Sequence, residues 1–417
     1  MSVVGRDSSG GSASETRHGA SSDRAFVVLS VAKLLSSGLI SALALTAVTS
    51  NRWHLLDPQV GIQLVLFLQW QILSLTLTKL GVDQIIFAAI TENHARRAST
   101  RAHMFQRALP LSFLSGLIVG AIFDSWAGAI CFTSLLLDTR STFILADLNA
   151  RERYTDVTIA SLLNYPLFFF LVFGLQTWFS VELPLVLLLF VATSFARWLW
   201  LNLRQIADGD LAVFVCQGTV LTGLAPVLNF LMFRMDQLVL SIGVVGSLVV
   251  TVGPDFIRQI LFVGRFQELL SGGFTVLTGI LLPRLFLAYP LHKRILGQIG
   301  QRFWLVIAYL TAVTLALIAY SLLWRGSDLP LLLLVSGALG GALILPANAV
   351  TYSMIRQGFL RALVRNLLIA IGAGLIIITI SLVAEPLGIA TIAALQLGLF
   401  VTLAFTAGWL TPQRLYE

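Results

Sequence analysis

Charge is what this sequence lacks most. Only 11% of its 417 residues are Asp, Glu, Lys or Arg, where a soluble domain carries roughly 25%. Hydrophobic residues make up 57%, and the mean hydropathy is +0.89. No water-soluble surface can be built from such a composition, so the chain reads as an integral membrane protein. Cysteine is nearly absent. Cys131 and Cys216 lie in separate apolar stretches with no CxxC partner, which excludes a disulfide framework and argues against a metal site. The five histidines, His18, His54, His94, His103 and His292, all fall in the tail or in loops. No His/Cys/Glu group has metal-ligand spacing, and no Ser/His/Asp hydrolase is suggested. There is no Walker loop, so the chain does not hydrolyse ATP itself. No cofactor is implied.

Long hydrophilic loops on the outer side are missing too. The longest, around Asn51–Gln59, cannot fold alone. A polysaccharide polymerase, ligase or glycosyltransferase would be expected to carry a sizeable outer loop. The chain is therefore read as a non-enzyme.

Long apolar runs are what it has instead. Residues 1–24 are rich in Ser and Gly and read as a disordered cytoplasmic tail. The apolar run Ala25–Val48 exceeds a signal-peptide core and predicts the first membrane span. Twelve stretches of about 20 residues follow one another. They lie near 26–49, 60–82, 108–124, 126–147, 157–178, 182–202, 212–241, 249–282, 303–324, 330–352, 364–383 and 387–410. The third and fourth meet at a tight turn around Asp124 and Ser125.

The distribution of Lys and Arg orients this map. With both termini in the cytoplasm, nineteen of the 27 basic residues fall in cytoplasmic segments. They include Arg96, Arg97, Arg101 and Arg107, and further on Arg197 and Arg204. Only Arg52 and Arg325 fall outside. Basic loops recur at an offset of about half the chain, a pattern of parallel repeats with a site between them. The expected architecture is all-α: about 12 transmembrane helices in two six-helix lobes, 25–208 and 209–417, around a central cavity.

Charges at membrane depth are the candidate functional residues, because each costs roughly 2.5–3.5 kcal/mol at a helix centre. In the eighth span Asp255, Arg258, Phe262, Arg265 and Glu268 form one helical stripe. The stripe fits a cationic wall for an anionic substrate. It equally fits two internal i,i+3 ion pairs, Asp255 with Arg258 and Arg265 with Glu268. Arg234 and Asp236 in the seventh span point to different faces, as do Asp138 and Arg140 in the fourth. Lys79 and Asp83 are spaced i,i+4 near the end of the second span.

Three segments resemble the Wzx-type polysaccharide flippases of the multidrug/oligosaccharidyl-lipid/polysaccharide exporter superfamily. The second span ends Lys79-Leu-Gly-Val-Asp-Gln-Ile-Ile, similar to the family's Leu-Gly-Leu-Asp-Gln-Ala-Ile. The joint after the fourth reads Ala146-Asp-Leu-Asn-Ala-Arg-Glu-Arg-Tyr154, although Glu152 replaces the usual Gly. The seventh contains Arg234-Met-Asp-Gln-Leu-Val-Leu, and the eighth ends Leu282-Pro-Arg-Leu. The resemblance implies a V-shaped, two-lobed protein of the bacterial inner membrane. Its implied cargo is a polyprenyl-diphosphate-linked oligosaccharide for cell-surface polysaccharide synthesis, moved from the cytoplasmic to the outer leaflet by alternating access. H+ or Na+ would drive it, and polysaccharide polymerase and export machinery would be its partners besides membrane lipid. No nucleic acid is implied. A diphosphate wants arginine donors, and Arg258, Arg265, Arg140 and Arg234 are those at membrane depth. Asp255, Glu268, Asp138, Asp83 and Asp236 are the candidates for ion coupling, since a carboxylate at that depth can carry a proton each cycle. An ion-coupled antiporter of small drugs or metabolites is the alternative.

Overall fold

The structure, a computed structural model, describes residues 40–49, 56–79, 97–150, 153–204, 224–232, 258–267, 303–324, 333–335, 337–342 and 360–384. Arg234, Gln237, Leu238, Ser241, Leu269, Leu270 and Leu331 are described between these segments. Among the described residues all regular structure is helical. The first-half helices are α1 (Ile40–Thr49), α2 (Pro58–Lys79), α3 (Arg97–Ile122), α4 (Ser125–Ala150), α5 (Tyr154–Leu162), α6 (Tyr165–Gln176) and α7 (Leu183–Arg204). In the second half are α8 (Phe303–Trp324) and α9 (Leu360–Ala384). Residues 224–232, 258–267 and Leu333–Ala342 are also helical and fall in the seventh, eighth and tenth expected spans. The tail 1–24, the twelfth span, both termini and the lobe boundary at 208/209 lie outside the described residues.

Among the described residues, four stretches are long and apolar enough to cross a membrane: Pro58–Lys79, Ser125–Ala146, Thr155–Gln176 and Leu183–Arg204. The outer faces of α3, α6 and α7 carry Phe113, Leu117, Phe170, Leu188 and Leu199, all exposed, as a lipid-facing surface requires. Trp178 and Phe179 at the end of α6 are 82% and 67% exposed, in the place of an interfacial aromatic belt. The protein is a multi-pass membrane protein.

Local chemistry explains the helix ends. Asp57 caps α2: its Oδ1 accepts the backbone N–H of Gln59 at 2.8 Å, and Pro58 opens the helix where no donor is needed. Asp124 makes the turn between α3 and α4, accepting the Ser125 N–H on Oδ1 at 2.6 Å and the Gly128 N–H on its carbonyl at 3.0 Å. That turn stands where the sequence places it. Next to it the two helices touch backbone to backbone. A Cβ on Gly128 would lie 2.5 Å from the Gly116 carbonyl oxygen and 2.8 Å from the Gly120 Cα. Gly116 and Gly120 are spaced as the small-residue motif of close membrane helix pairs.

The fifth expected span, continuous in the sequence reading, is broken into α5 and α6 at Leu163 and Asn164. Pro166 is the reason: it has no N–H to give the preceding turn, and its ring excludes the carbonyl four residues back. Asn164 leaves the helical conformation at φ −93°, ψ −117°.

Among the described residues two large apolar cores form, beside a smaller cluster of Ile144, Leu148, Val157, Ala160 and Leu201. The first gathers Phe67, Leu135, Phe168, Leu187 and Phe190, with Phe190 edge-on to Phe67 at 6.4 Å and to Phe168 at 5.5 Å. The second gathers Ile260, Phe262, Leu317, Leu333 and Leu363. Leu261, from the second half, packs into the first core. Two hydrogen bonds also cross between the halves: the Thr46 and Tyr320 hydroxyls meet at 2.6 Å, and Trp70 Nε1 donates to Ser241 Oγ at 2.7 Å.

Candidate functional site

Three helices of the first half present polar stripes to one another. On α2 these are Gln71, Ser74 and Thr78; on α4, Cys131, Ser134, Asp138 and Ser141; on α7, Ser194 and Arg197. All are buried. Steps of three and four residues keep each set on one helix face. The stripes meet through named bonds. Gln71 Nε2 donates to Ser134 Oγ at 2.8 Å, and Cys131 Sγ donates to Gln71 Oε1 at 3.1 Å. The hydroxyls of Thr78 and Thr139 lie 3.0 Å apart. In an apolar slab such groups stay only where protein partners replace water.

Asp138 sits at the centre of this cluster, 2% exposed. Its Oδ1 is 3.4 Å from Arg197 Nη1, and its Oδ2 accepts from Ser194 Oγ at 3.3 Å. Gln71 and Lys79 act on it from α2, and its charge reaches the Tyr165 ring on α6. The sequence reading places Arg197 among the cytoplasmic loop residues. In the structure it is 9% exposed and paired inside the bundle. Position near the end of a span suggested a side chain reaching for water; the facing carboxylate on α4 holds it inward instead. The available signal was helical phase, since Thr193, Ser194, Arg197 and Leu201 share the buried face of α7.

Arg265 is the second focus. It is 1% exposed and interacts electrostatically with Tyr165 of the first half and Tyr320 of the second. Tyr320 stacks on Phe262 at 4.6 Å while its hydroxyl reaches Thr46. Arg265 therefore lies where the halves meet. Tyr165 links the two foci, since Asp138, Arg197 and Arg265 all act on it.

The other expected residues are placed differently. Arg140 is exposed, with its guanidinium 5.7 Å from the centre of the Trp198 ring. Arg234 is half-buried and donates through Nη1 to the Gly264 carbonyl at 3.3 Å. Arg258 is half-buried on the same helix as Arg265. Asp83, Asp236, Asp255 and Glu268 lie outside the described residues. No group of His, Cys, Asp and Glu suited to a metal occurs among the described residues.

At the end of α7 a smaller cluster forms. Asp156 meets Arg153 at 2.5 Å and Arg204 at 3.7 Å, and the Arg204 guanidinium covers the Trp200 ring at 4.8 Å. This ties the joint after α4 to the end of α7.

No protein-family model matches the chain, and no curated protein does. Solved structures do. One is the inward-facing conformation of a multidrug resistance MATE family transporter of the MOP superfamily. It shares 13% identity at a TM-score of 0.50, over 93% of this chain and 98% of that one. Another is a MOP superfamily transporter from Pyrococcus furiosus Vc1, described as having a binding pocket of reverse polarity. It shares 15% identity at a TM-score of 0.44, over 94% and 95% of the two chains. Over 93% of its length this chain shares the fold of the first of these structures, the MATE family transporter.

Proposed function

We propose that the protein is a flippase. Its cargo is a polyprenyl-diphosphate-linked oligosaccharide, carried by alternating access to the outer leaflet of a bacterial inner membrane for cell-surface polysaccharide synthesis. The observation that carries this reading is Arg265, a buried guanidinium within electrostatic reach of Tyr165 of the first half and Tyr320 of the second. Guanidinium binds diphosphate through paired, charge-assisted hydrogen bonds. A cargo passing between two halves must cross their contact. Asp138, ringed by Arg197, Ser194, Gln71 and Lys79, is the carboxylate that couples transport to H+ or Na+. The motifs quoted from the second, fourth and seventh spans support the same assignment.

The test is translocation of a polyprenyl-diphosphate oligosaccharide in proteoliposomes, wild type against Arg265→Ala and Arg258→Ala. Losing one charge-assisted contact of about 1.5–3 kcal/mol lowers transport by roughly tenfold or more. Full transport by well-folded Arg265→Ala removes that residue from the path. Inactivity of the wild type with several glycans and either ion gradient removes the flippase reading.

A second reading has its own support. The matched MATE structure is of a multidrug transporter, and a buried carboxylate such as Asp138 suits exchange of an organic cation for H+ or Na+. Gradient-driven efflux of small cations, independent of any polyprenyl carrier, identifies this case.

A further inference from the structure

α9 has two faces of different character. Leu363, Val364, Leu367 and Ala370 are buried and pack into the second core beside Phe262 and Phe266. The opposite face is open. Arg361, Arg365, Leu368, Ile369, Leu375 and Ile376 are all exposed along it, at the steps of three, four and seven that keep side chains in line. Gly372 falls in the same line, and nothing lies within 4 Å of the place a Cβ would take there.

This face is concave. Arg361, Val364, Arg365, Leu368 and Ile369 line an open groove of about 430 Å³. The two arginines stand one helical turn apart at one end of it. Neither has an ion-pair or hydrogen-bond partner among the described residues. The sequence holds no acidic residue between Asp328 and Glu385. The distribution of Lys and Arg places this end of α9 on the cytoplasmic side. The rest of the groove is apolar, and the exposed apolar line continues past Gly372 to Ile376. Two uncompensated cations heading an apolar channel complement one class of molecule in a bilayer. A phosphate can accept from both guanidiniums through charge-assisted bonds. An acyl chain can lie along Leu368, Ile369 and Ile376, across the bare backbone at Gly372. The dimensions agree. The rise from Arg365 to Ile376 is about 16 Å, and one leaflet of the hydrocarbon core is roughly 15 Å deep.

We propose that this face of α9 binds an anionic phospholipid of the cytoplasmic leaflet, with its phosphate on Arg361 and Arg365 and an acyl chain in the groove. The site lies on the second half alone and does not depend on the flippase reading. A zwitterionic lipid offers the same chains but carries its own cation, so the charge term selects between the two. A polyprenyl chain is far longer than one leaflet is deep and outruns the groove, which favours a phospholipid over the cargo.

The test is native mass spectrometry of the full chain in detergent, read at the first lipid bound. The probes are dioleoylphosphatidylglycerol and dioleoylphosphatidylcholine. The wild type should prefer phosphatidylglycerol by about thirtyfold, roughly fivefold for each arginine. Arg361→Gln/Arg365→Gln should lose most of that preference, and an undiminished preference overturns the proposal. Gly372→Phe keeps both charges and fills the channel. It should weaken phosphatidylglycerol binding several-fold, and unchanged binding overturns the proposal too. The wild type alone supplies a further check. Raising the salt from about 50 to about 500 mM should narrow its preference, and a preference indifferent to salt counts against the arginines. Inorganic phosphate and a short-chain polyprenyl diphosphate serve as competitors. Displacement of the phospholipid by an equal concentration of phosphate makes this a free-anion site. Displacement by a small fraction of that concentration of polyprenyl diphosphate makes it a cargo site. Either result overturns the proposal, and resistance to both supports it.

Discussion

At the scale of single residues, the buried polar side chains are held by partners on other helices. Gln71 illustrates this. Its amide nitrogen serves Ser134 and its oxygen accepts from Cys131. Gln71→Leu removes both bonds and strands the Cys131 thiol in an apolar slab, while the Ser134 hydroxyl keeps its bond to the Cys131 carbonyl at 3.0 Å. Interhelical hydrogen bonds in membranes are worth about 0.6–1.7 kcal/mol, so a loss of about 1 kcal/mol is expected in detergent unfolding. Gln71→Glu should instead place a second carboxylate beside Asp138 and destabilise more, unless one of the two is protonated. Cys131 is fully buried; it should resist thiol reagents in the folded protein and react on denaturation. This much of the site was half legible. Asp138 and Arg265 stand out in a sequence with so little charge. Arg197 did not, because the residue that holds it inward is 59 positions away.

At the scale of elements, the α3–α4 hairpin is the most constrained feature. Asp124 caps α4, and Gly116, Gly120 and Gly128 allow the helices to meet at backbone distance. Gly128→Ala puts a methyl group against backbone that cannot swing away. It should cost about 1–3 kcal/mol, the range for overpacking, read as a lower melting temperature in detergent. Gly174→Ala is the matching control, since nothing lies within 4 Å of its Cβ position. The turn at Asp124 and Ser125 was readable from one acidic residue and one Ser between apolar runs. The break between α5 and α6 was written in Pro166, yet a hydropathy window averages over a single proline. Residues 97–107 extend α3 beyond the apolar run that starts near 108, because helix formation does not stop where apolar composition does.

At the scale of the whole molecule, the contacts between halves decide the state. Thr46 and Tyr320 lie about one turn from the ends of α1 and α8, so their hydrogen bond joins the halves near one end of the bundle. Tyr320→Phe keeps the stack on Phe262 and removes only the hydroxyl. A loss of about 1 kcal/mol at this contact shifts an open–closed equilibrium roughly fivefold. Distances between spin labels on the two halves should report that shift, and an unchanged distribution would mean the bond does not hold the halves.

Membrane class, helical content and the runs that become helices follow from composition and local hydropathy, because transfer into lipid acts on each segment almost independently. The pairing of Asp138 with Arg197, the meeting of Arg265 with tyrosines from both halves and the inward turn of one arginine against the outward turn of Arg140 do not. Helical phase narrows the face of each side chain. Which face meets which is set by packing between helices far apart in the chain, and a buried charge takes whatever partner that packing brings within reach.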